Sequence, residues 1–104
     1  MDYSIVMTSD AEDDFDGFVQ YLLFVKKSEQ AAINLINDLE ETKESLINVA
    51  ESLKLCENPQ LAAQGYRRIN FLSHDYFMLY RVEGNNVVID NIFHFLQDYE
   101  NKLL

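Results

Sequence analysis

The chain has 104 residues, of which 48% are hydrophobic, 25% charged and 12% aromatic, and its formal net charge is −10. The length suffices for one buried core and is too short for two, so we expect a single domain over residues 1–104. The apolar content excludes a disordered tail, and the acidity excludes nucleic-acid binding through overall charge. Six of the acids lie within residues 1–16, which contain no base.

A single cysteine, Cys56, limits the chemistry of the chain. It has no second thiol for an internal disulfide or a structural zinc site, so a reducing compartment is expected. The chain opens without a basic leader, and its longest apolar run, residues 21–25, is far too short to cross a membrane. We therefore expect a cytoplasmic protein that does not insert into membranes.

The first element is an apolar run at residues 3–7 that is rich in β-branched residues, which predicts a strand. Ser9 and Glu12 then have capping-box spacing, and acids follow in the first turn, where they suit the positive end of a helix dipole. Apolar residues recur behind them at helical intervals. A first helix is therefore predicted over about residues 10–26.

A second helix is predicted to begin at Ser28, whose hydroxyl can cap it. Its apolar stripe is interrupted at mid-length by Thr42 and Lys43, and its other side is a solvated acidic face. The stripe consists of Ala32, Leu35, Ile36, Leu39, Leu46, Val49, Ala50 and Leu53. The two helices are expected to form an antiparallel hairpin over about residues 10–55.

The pattern changes at Asn58 and Pro59, which are expected to end helical structure and to open a short linker through Gly65. Three runs rich in aromatic and β-branched residues follow, separated by turn residues. These runs are residues 66–72, 76–83 and 87–95. They predict an antiparallel meander, and residues 97–104 predict a short helix.

The order of elements predicts the α+β class, with the first strand joining the meander in a four-stranded, largely antiparallel sheet. The helical hairpin is expected to cover one face of this sheet. The other face would then be free for function.

Three runs of the second half resemble the RelE/ParE superfamily of bacterial toxins. They are residues 65–69 (GYRRI), 74–82 (HDYFMLYRV) and 88–94 (VIDNIFH). The likeness covers nearly the whole chain, although the helices match only as an amphipathic pair. It implies the toxin of a type II toxin-antitoxin system, neutralised by a cognate antitoxin that wraps it. Some members cleave messenger RNA at the ribosome without a metal or other cofactor, whereas ParE-like members inhibit DNA gyrase and are not nucleases.

The resemblance to the nucleases assigns candidate catalytic roles. Arg68 falls where YoeB-like enzymes place an arginine that stabilises the phosphorane, and His94 falls where they place a catalytic histidine, here the acid. Glu57 is the candidate general base of the linker over residues 57–64. Strand alternation places Asp90 on the same face as His94, where it can tune the ring.

Two further residues are candidates for substrate binding. Arg81 is a candidate phosphate contact, and Phe95 can stack on a base. Phe95 stands where YoeB-like enzymes have a tyrosine, and phenylalanine cannot transfer a proton. Because Arg67 and Arg68 are adjacent on a strand, they are expected to point to opposite faces, with the one outside the site forming a surface ion pair.

Three functions remain open. The sequence slightly favours a ribosome-dependent endoribonuclease over a ParE-like gyrase inhibitor, although the acidity favours a protein target over RNA. A gyrase inhibitor would use the helical hairpin or the tail at residues 97–104. The third reading is a scaffold that binds an antitoxin and poisons nothing. In each case the acidic front of the chain predicts a partner that presents a basic or apolar segment.

Overall fold

The elements follow the predicted order in the computed structural model, which describes residues 3–103. The strands are β1 (Ser4–Met7), β2 (Arg67–Asn70), β3 (Tyr76–Glu83) and β4 (Asn86–His94). The helices are α1 (Ser9–Gln20), α2 (Glu29–Val49), α3 (Pro59–Ala63) and α4 (Tyr99–Leu103). The predicted α+β class is confirmed, and Leu104, at the end of the predicted tail helix, lies outside the described residues. Within residues 3–103 no helix is long and apolar enough to cross a bilayer.

The sheet has the order β1-β4-β3-β2, with β1 parallel to β4 and the other pairs antiparallel, so the predicted meander with an added first strand is confirmed. β1 is short and pairs only with Asn86 to Ile89. The outer edge of β4 beyond Ile89 is satisfied instead by side chains. Asp14 accepts from the Ile92 N–H at 3.0 Å, and the Gln97 Oε1 accepts from the His94 N–H at 2.9 Å.

The helical hairpin is confirmed, with small shifts at its ends. Thr8 caps α1 by accepting from the Ala11 N–H at 3.1 Å, one position before the predicted Ser9, and Ser28 caps α2 as predicted. α1 gives way at its end to a π-helical turn, Tyr21–Val25. α2 ends at Val49 rather than near residue 55.

The earlier end of α2 has a local cause. The Ser52 hydroxyl donates to the Val49 carbonyl at 3.0 Å, and the Arg67 Nη1 donates to the carbonyls of Glu51 and Leu53. These bonds satisfy carbonyl groups that, in a longer helix, would accept from the N–H groups of the next turn.

Pro59 begins a helix rather than ending helical structure, which corrects the prediction of a linker from Asn58 to Gly65. The Asn58 Oδ1 accepts from the N–H groups of Gln60 and Leu61, and Pro59 occupies the first turn of α3. Proline suits this position because its missing N–H has no intrahelical partner there. Gly65 then ends the segment with φ +84°, a conformation that favours glycine.

The hairpin packs on one face of the sheet, where Leu35, Leu46, Met78, Tyr80 and Ile89 are buried in the main core. The other face is not free, which corrects the sequence prediction. This face is partly covered by α4 and by the segment that precedes β2. Cys56, Leu61 and Tyr99 pack against Leu79 there. Its apolar side chains at Phe77 and Phe93 are buried too, because a strand with aromatic residues on both faces requires cover on both.

Candidate functional site

Arg68 projects from β2 onto the face opposite the hairpin, where aromatic rings hold it. Its guanidinium carbon lies 3.7 Å from the centroid of Phe77 and 5.3 Å from that of Phe95. Its Nε donates to the Asn70 Oδ1 at 3.0 Å. The geometry is that of a cation stacked on an aromatic face. The charge of this partly exposed side chain is therefore held in place rather than swinging freely in solvent.

Arg68 lines a cleft of about 580 Å³, which we call the Arg68 cleft. Its walls are the edge of β2, the helix α4 and the segment that precedes α3. It brings two of the three predicted catalytic residues, Arg68 and Glu57, to one place. Burial raises the pKa of the Cys56 thiol and of the Tyr99 hydroxyl here, so both stay protonated near neutral pH. The lining residues are Leu53, Lys54, Leu55, Cys56, Glu57, Arg68, Ile69, Asn70, Tyr99 and Glu100.

His94, the third predicted catalytic residue, points to the face of the sheet that the helical hairpin covers. It is paired in register with Tyr76, and the two rings meet edge to face at 4.9 Å. Its Nδ1 accepts from the Leu96 N–H at 3.1 Å, so a neutral ring carries its proton on Nε2. Arg68 is paired in register with Leu79, and both side chains lie on the face of the sheet opposite the hairpin. The structure therefore does not bring His94 to Arg68 and Glu57.

The cavity beside His94 is a groove of about 650 Å³ between α1 and the open edge of β4, closed at one end by α4. We call it the α1–β4 groove. Its lining residues are Asp13, Asp14, Gly17, Phe18, Tyr21, Tyr76, Asn91, Ile92, Phe93, His94, Gln97, Lys102 and Leu103.

Asp90 does not share a face with His94, which corrects the prediction from strict alternation. Leu79 pairs with Asn91 and Tyr80 with Ile89, which leaves Asp90 as the extra residue of a β-bulge. Its Oδ2 accepts from the Arg81 Nε at 2.7 Å on the other face. The bulge shifts the alternation by one residue, so that Ile89 and Ile92 both face the main core.

Arg81 is engaged in ion pairs within the protein. It contacts Asp90 and also the carboxylate of Glu83. The bond to Asp90 is the main reason why the pKa of Arg81 is raised. Burial, followed by the charge of Asp90, raises the pKa of the neighbouring Tyr66. A phosphate would have to compete with these two carboxylates for the guanidinium.

Phe95 is 41% exposed and lies beside Arg68 and Phe77, with its ring 6.1 Å from that of Phe77. It therefore belongs to the surface around Arg68 rather than to the groove beside His94. The adjacent Arg67 projects the other way and bonds main-chain carbonyls after α2, and among residues 3–103 it forms no ion pair of the kind expected.

One buried polar cluster was missed by the sequence analysis. Asp38, on α2, is 3% exposed and accepts from the N–H groups of Leu72 and Ser73, from Thr42 and, at 2.6 Å, from the His74 Nδ1. The cluster ties the β2–β3 loop to the hairpin. The sequence feature that could have revealed this cluster is Thr42, a polar residue inside the apolar stripe of α2, with an aspartate one helical turn before it.

One family model matches most of the chain. The family model described as "ParE toxin of type II toxin-antitoxin system, parDE" matches residues 5–99. Among solved structures, one of the "Chromosomal ParDE TA system from P. aeruginosa" is similar to this chain with a TM-score of 0.69 and 22% identity, covering 88% of this chain and 95% of that one. No curated protein sequence matches the chain.

Proposed function

The chain belongs to the ParE family of type II toxins, and we propose that it poisons its cell by binding DNA gyrase rather than by cleaving RNA. Membership in a toxin-antitoxin family also implies a cognate antitoxin as partner. ParE-like members act on gyrase without chemistry, so the target must be held by a surface rather than transformed in a site.

The separation of Arg68 from His94 carries the proposal. Cleavage of RNA by a 2′-hydroxyl needs a proton acceptor, a proton donor and a cation around the same phosphate. Here the cation and the histidine occupy opposite faces of the sheet. A phosphate bound at Arg68 would therefore lie on the face of the sheet away from His94.

The charge of the protein supports the same conclusion. The formal net charge is −10, and the candidate phosphate contact Arg81 is already paired with two carboxylates. A polyanionic substrate is repelled by such a surface, whereas a protein target can offer a complementary one.

The contact surface that we propose is the tip of the helical hairpin, formed by Phe24 and Val25. These two residues are 72% and 64% exposed. Large apolar side chains so exposed are typical of interaction surfaces when they lie together. Both lie in or at the end of the π-helical turn, a form of backbone that is often found at functional sites.

A ribosome-dependent nuclease is the second candidate, because Arg68 and Glu57 do line one cleft. In that mechanism Arg68 would stabilise the phosphorane and Glu57 would accept the 2′ proton. Phe95, beside Arg68, would stack on a base. His94 would have to act without contacting the same phosphate.

The test measures supercoiling by purified gyrase and cleavage of messenger RNA on ribosomes with the same toxin preparations. The variants are Phe24→Ser for the hairpin tip, and Arg68→Ala, Glu57→Gln and His94→Ala for the nuclease. Ile47→Ser, another exposed apolar residue of the hairpin, and Glu44→Gln, an exposed acid of α2, are the matched controls.

We expect wild type to inhibit supercoiling and Phe24→Ser to lose about 10-fold or more in inhibition, as for a central contact residue. His94→Ala and both controls should inhibit like wild type. Ribosomal cleavage that falls with Arg68→Ala and Glu57→Gln would favour the nuclease instead. Wild-type toxin that neither inhibits supercoiling nor cleaves messenger RNA would favour the inactive scaffold.

A further inference from the structure

We propose that Lys27 extends the tip of the helical hairpin into a basic contact, and that this tip fits an apolar pocket with an acidic rim on gyrase. The inference rests on the proposed function, from which it takes the partner, and it adds the chemistry of the surface that the partner must present. Phe24 and Val25 supply the apolar part of the tip. Lys26 and Lys27, both exposed, directly follow them.

The backbone of Lys27 is unusual for a lysine. Its φ is 54°, and within residues 3–103 it is the one residue other than glycine with a positive φ. This left-handed conformation brings the Cβ too close to the following carbonyl oxygen, so it is disfavoured for every residue with a side chain. Glycine adopts it without this strain.

The turn between the helices explains why this conformation is needed. The Lys26 N–H donates to the Tyr21 carbonyl at 3.0 Å, and the Ser28 N–H donates to the Leu22 carbonyl at 2.9 Å. Ser28 then caps α2 by accepting from the Ala31 N–H at 3.1 Å. A single left-handed residue therefore reverses the chain between the last turn of one helix and the cap of the next. Helices most often have glycine at such a position.

Nothing inside the toxin explains a lysine in this turn. Among residues 3–103 the Lys27 ammonium lies within 4.0 Å of no carboxylate and over no aromatic ring. Lys26, by contrast, turns back over the ring of Tyr21, 5.8 Å from its centroid. Strained residues cluster where a protein contacts a ligand or partner. We infer that the lysine serves such a contact and not the turn itself.

The tip is locally basic although the protein is acidic. Residues 17–28 contain two lysines and no acid, whereas the formal net charge of the chain is −10. The first acid after the tip, Glu29, lies in the first turn of α2, where it complements the positive end of the helix dipole. Charge complementarity therefore calls for acidic groups on the partner, beside the apolar pocket that takes Phe24.

An acidic protein surface fits the tip better than an anionic membrane does. A membrane presents negative charge over a wide area, which would repel the five acids of α1 on the same hairpin. A protein can place a few acids around one pocket and leave the surface opposite α1 neutral or basic. The small apolar area of Phe24 and Val25 also suits a pocket.

The test measures the dissociation constant between purified toxin and gyrase, at low and at high salt, together with the inhibition of supercoiling. The variants are Lys27→Gly, Lys27→Glu and Lys27→Arg, and Phe24→Ser reports on the apolar part of the tip. Lys43→Glu is the matched control, because it makes the same change of charge about 20 Å along α2 from the tip. Thermal unfolding of each free toxin reports its stability.

We expect Lys27→Gly to weaken binding about 2- to 5-fold and Lys27→Glu by about 10-fold or more, with both effects shrinking at high salt. Lys27→Arg keeps the charge and should bind within about 2-fold of wild type. Lys27→Gly should also raise the Tm of the free toxin by about 2–6 °C, because it relieves the left-handed strain. Gain of stability with loss of affinity is a combination that a lysine without a partner would not produce.

Lys27 variants that bind gyrase like Lys43→Glu, while Phe24→Ser loses affinity, would overturn the inference and leave the proposed function standing. A Lys27→Gly variant that loses Tm along with affinity would also overturn it, because the lysine would then serve the fold. So would binding to phosphatidylglycerol vesicles that depends on Lys27 while the affinity for gyrase does not. Failure of the proposed function is a different result: wild-type toxin would then not bind gyrase, and the partner named here would fall with it.

Discussion

The guanidinium of Arg68 is stacked on the ring of Phe77, 3.7 Å from its centroid, and the whole arrangement lies on the face of the sheet that the hairpin does not cover. Phe77 is 1% exposed and cannot move away. The cation is therefore positioned by a rigid neighbour, while its chain neighbour Arg67 points into the layer of the hairpin.

The two adjacent arginines should behave differently on truncation. Arg67→Ala removes bonds to two carbonyls and should lower the free energy of unfolding by about 1–2 kcal/mol. Arg68→Ala removes a partly exposed cation–π contact and should cost about 0.5–1 kcal/mol. Urea unfolding of both variants gives the comparison. A larger loss for Arg68→Ala would contradict the assigned faces.

The buried carboxylate of Asp38 should be among the most sensitive single positions. Asp38→Ala leaves the N–H groups of Leu72 and Ser73 and the ring of His74 without their acceptor, and we expect a loss of about 3 kcal/mol. Glu40→Ala is the control, since its ion pair with Lys43 is exposed and worth about 0.5 kcal/mol or less. Equal midpoints in urea for the two variants would show that the cluster does not anchor the loop.

Alkaline pH should unfold the protein through its tyrosines. Burial raises the pKa of Tyr80 to about 12, and its hydroxyl donates to the Ala50 carbonyl at 2.7 Å. The unfolded chain releases this proton near pH 10 and the folded protein only near 12, so stability falls as pH rises between these values.

Tyr80 alone should contribute about 1.4 kcal/mol to this loss by pH 11, because one pH unit between the two pKa values corresponds to about that free energy. The measurement is the free energy of unfolding in urea at pH 8 to 11, with Tyr80→Phe for comparison. Tyr80→Phe should be less stable at pH 8 because it lacks the bond to Ala50, and it should lose less stability as the pH rises. Parallel pH profiles for the two proteins would refute the assignment.

The side chains that cover the edge of β4 should keep the toxin from associating with itself. Asp14→Ala combined with Gln97→Ala frees the N–H groups of Ile92 and His94 for another strand. We expect this double variant to form dimers or larger species in analytical ultracentrifugation, whereas Asp13→Ala, which leaves both bonds intact, should sediment like wild type. A double variant that also sediments like wild type would show that the edge needs no protection.

Local patterns in the sequence predicted the elements well because they reflect interactions between near neighbours. The cap at Ser28, the helical spacing of apolar residues and the runs of β-branched and aromatic residues act within a few positions of the chain. The runs around Arg68 and His94 also pointed to the toxin superfamily. The same local reasoning failed at Pro59, where a residue that ends one helix can equally begin the next.

Only the tertiary structure decided which candidate residues meet. The bulge at Asp90 reverses the alternation expected along β4, and the pairing of β2 with β3 sends Arg68 away from His94. The burial of Asp38 beneath His74 likewise joins residues 36 positions apart. Each outcome depends on register and packing between distant segments, and no residue carries a local mark of the partner that it will find across the sheet. The sequence alone therefore determined the elements and the family, and the three-dimensional packing determined the site.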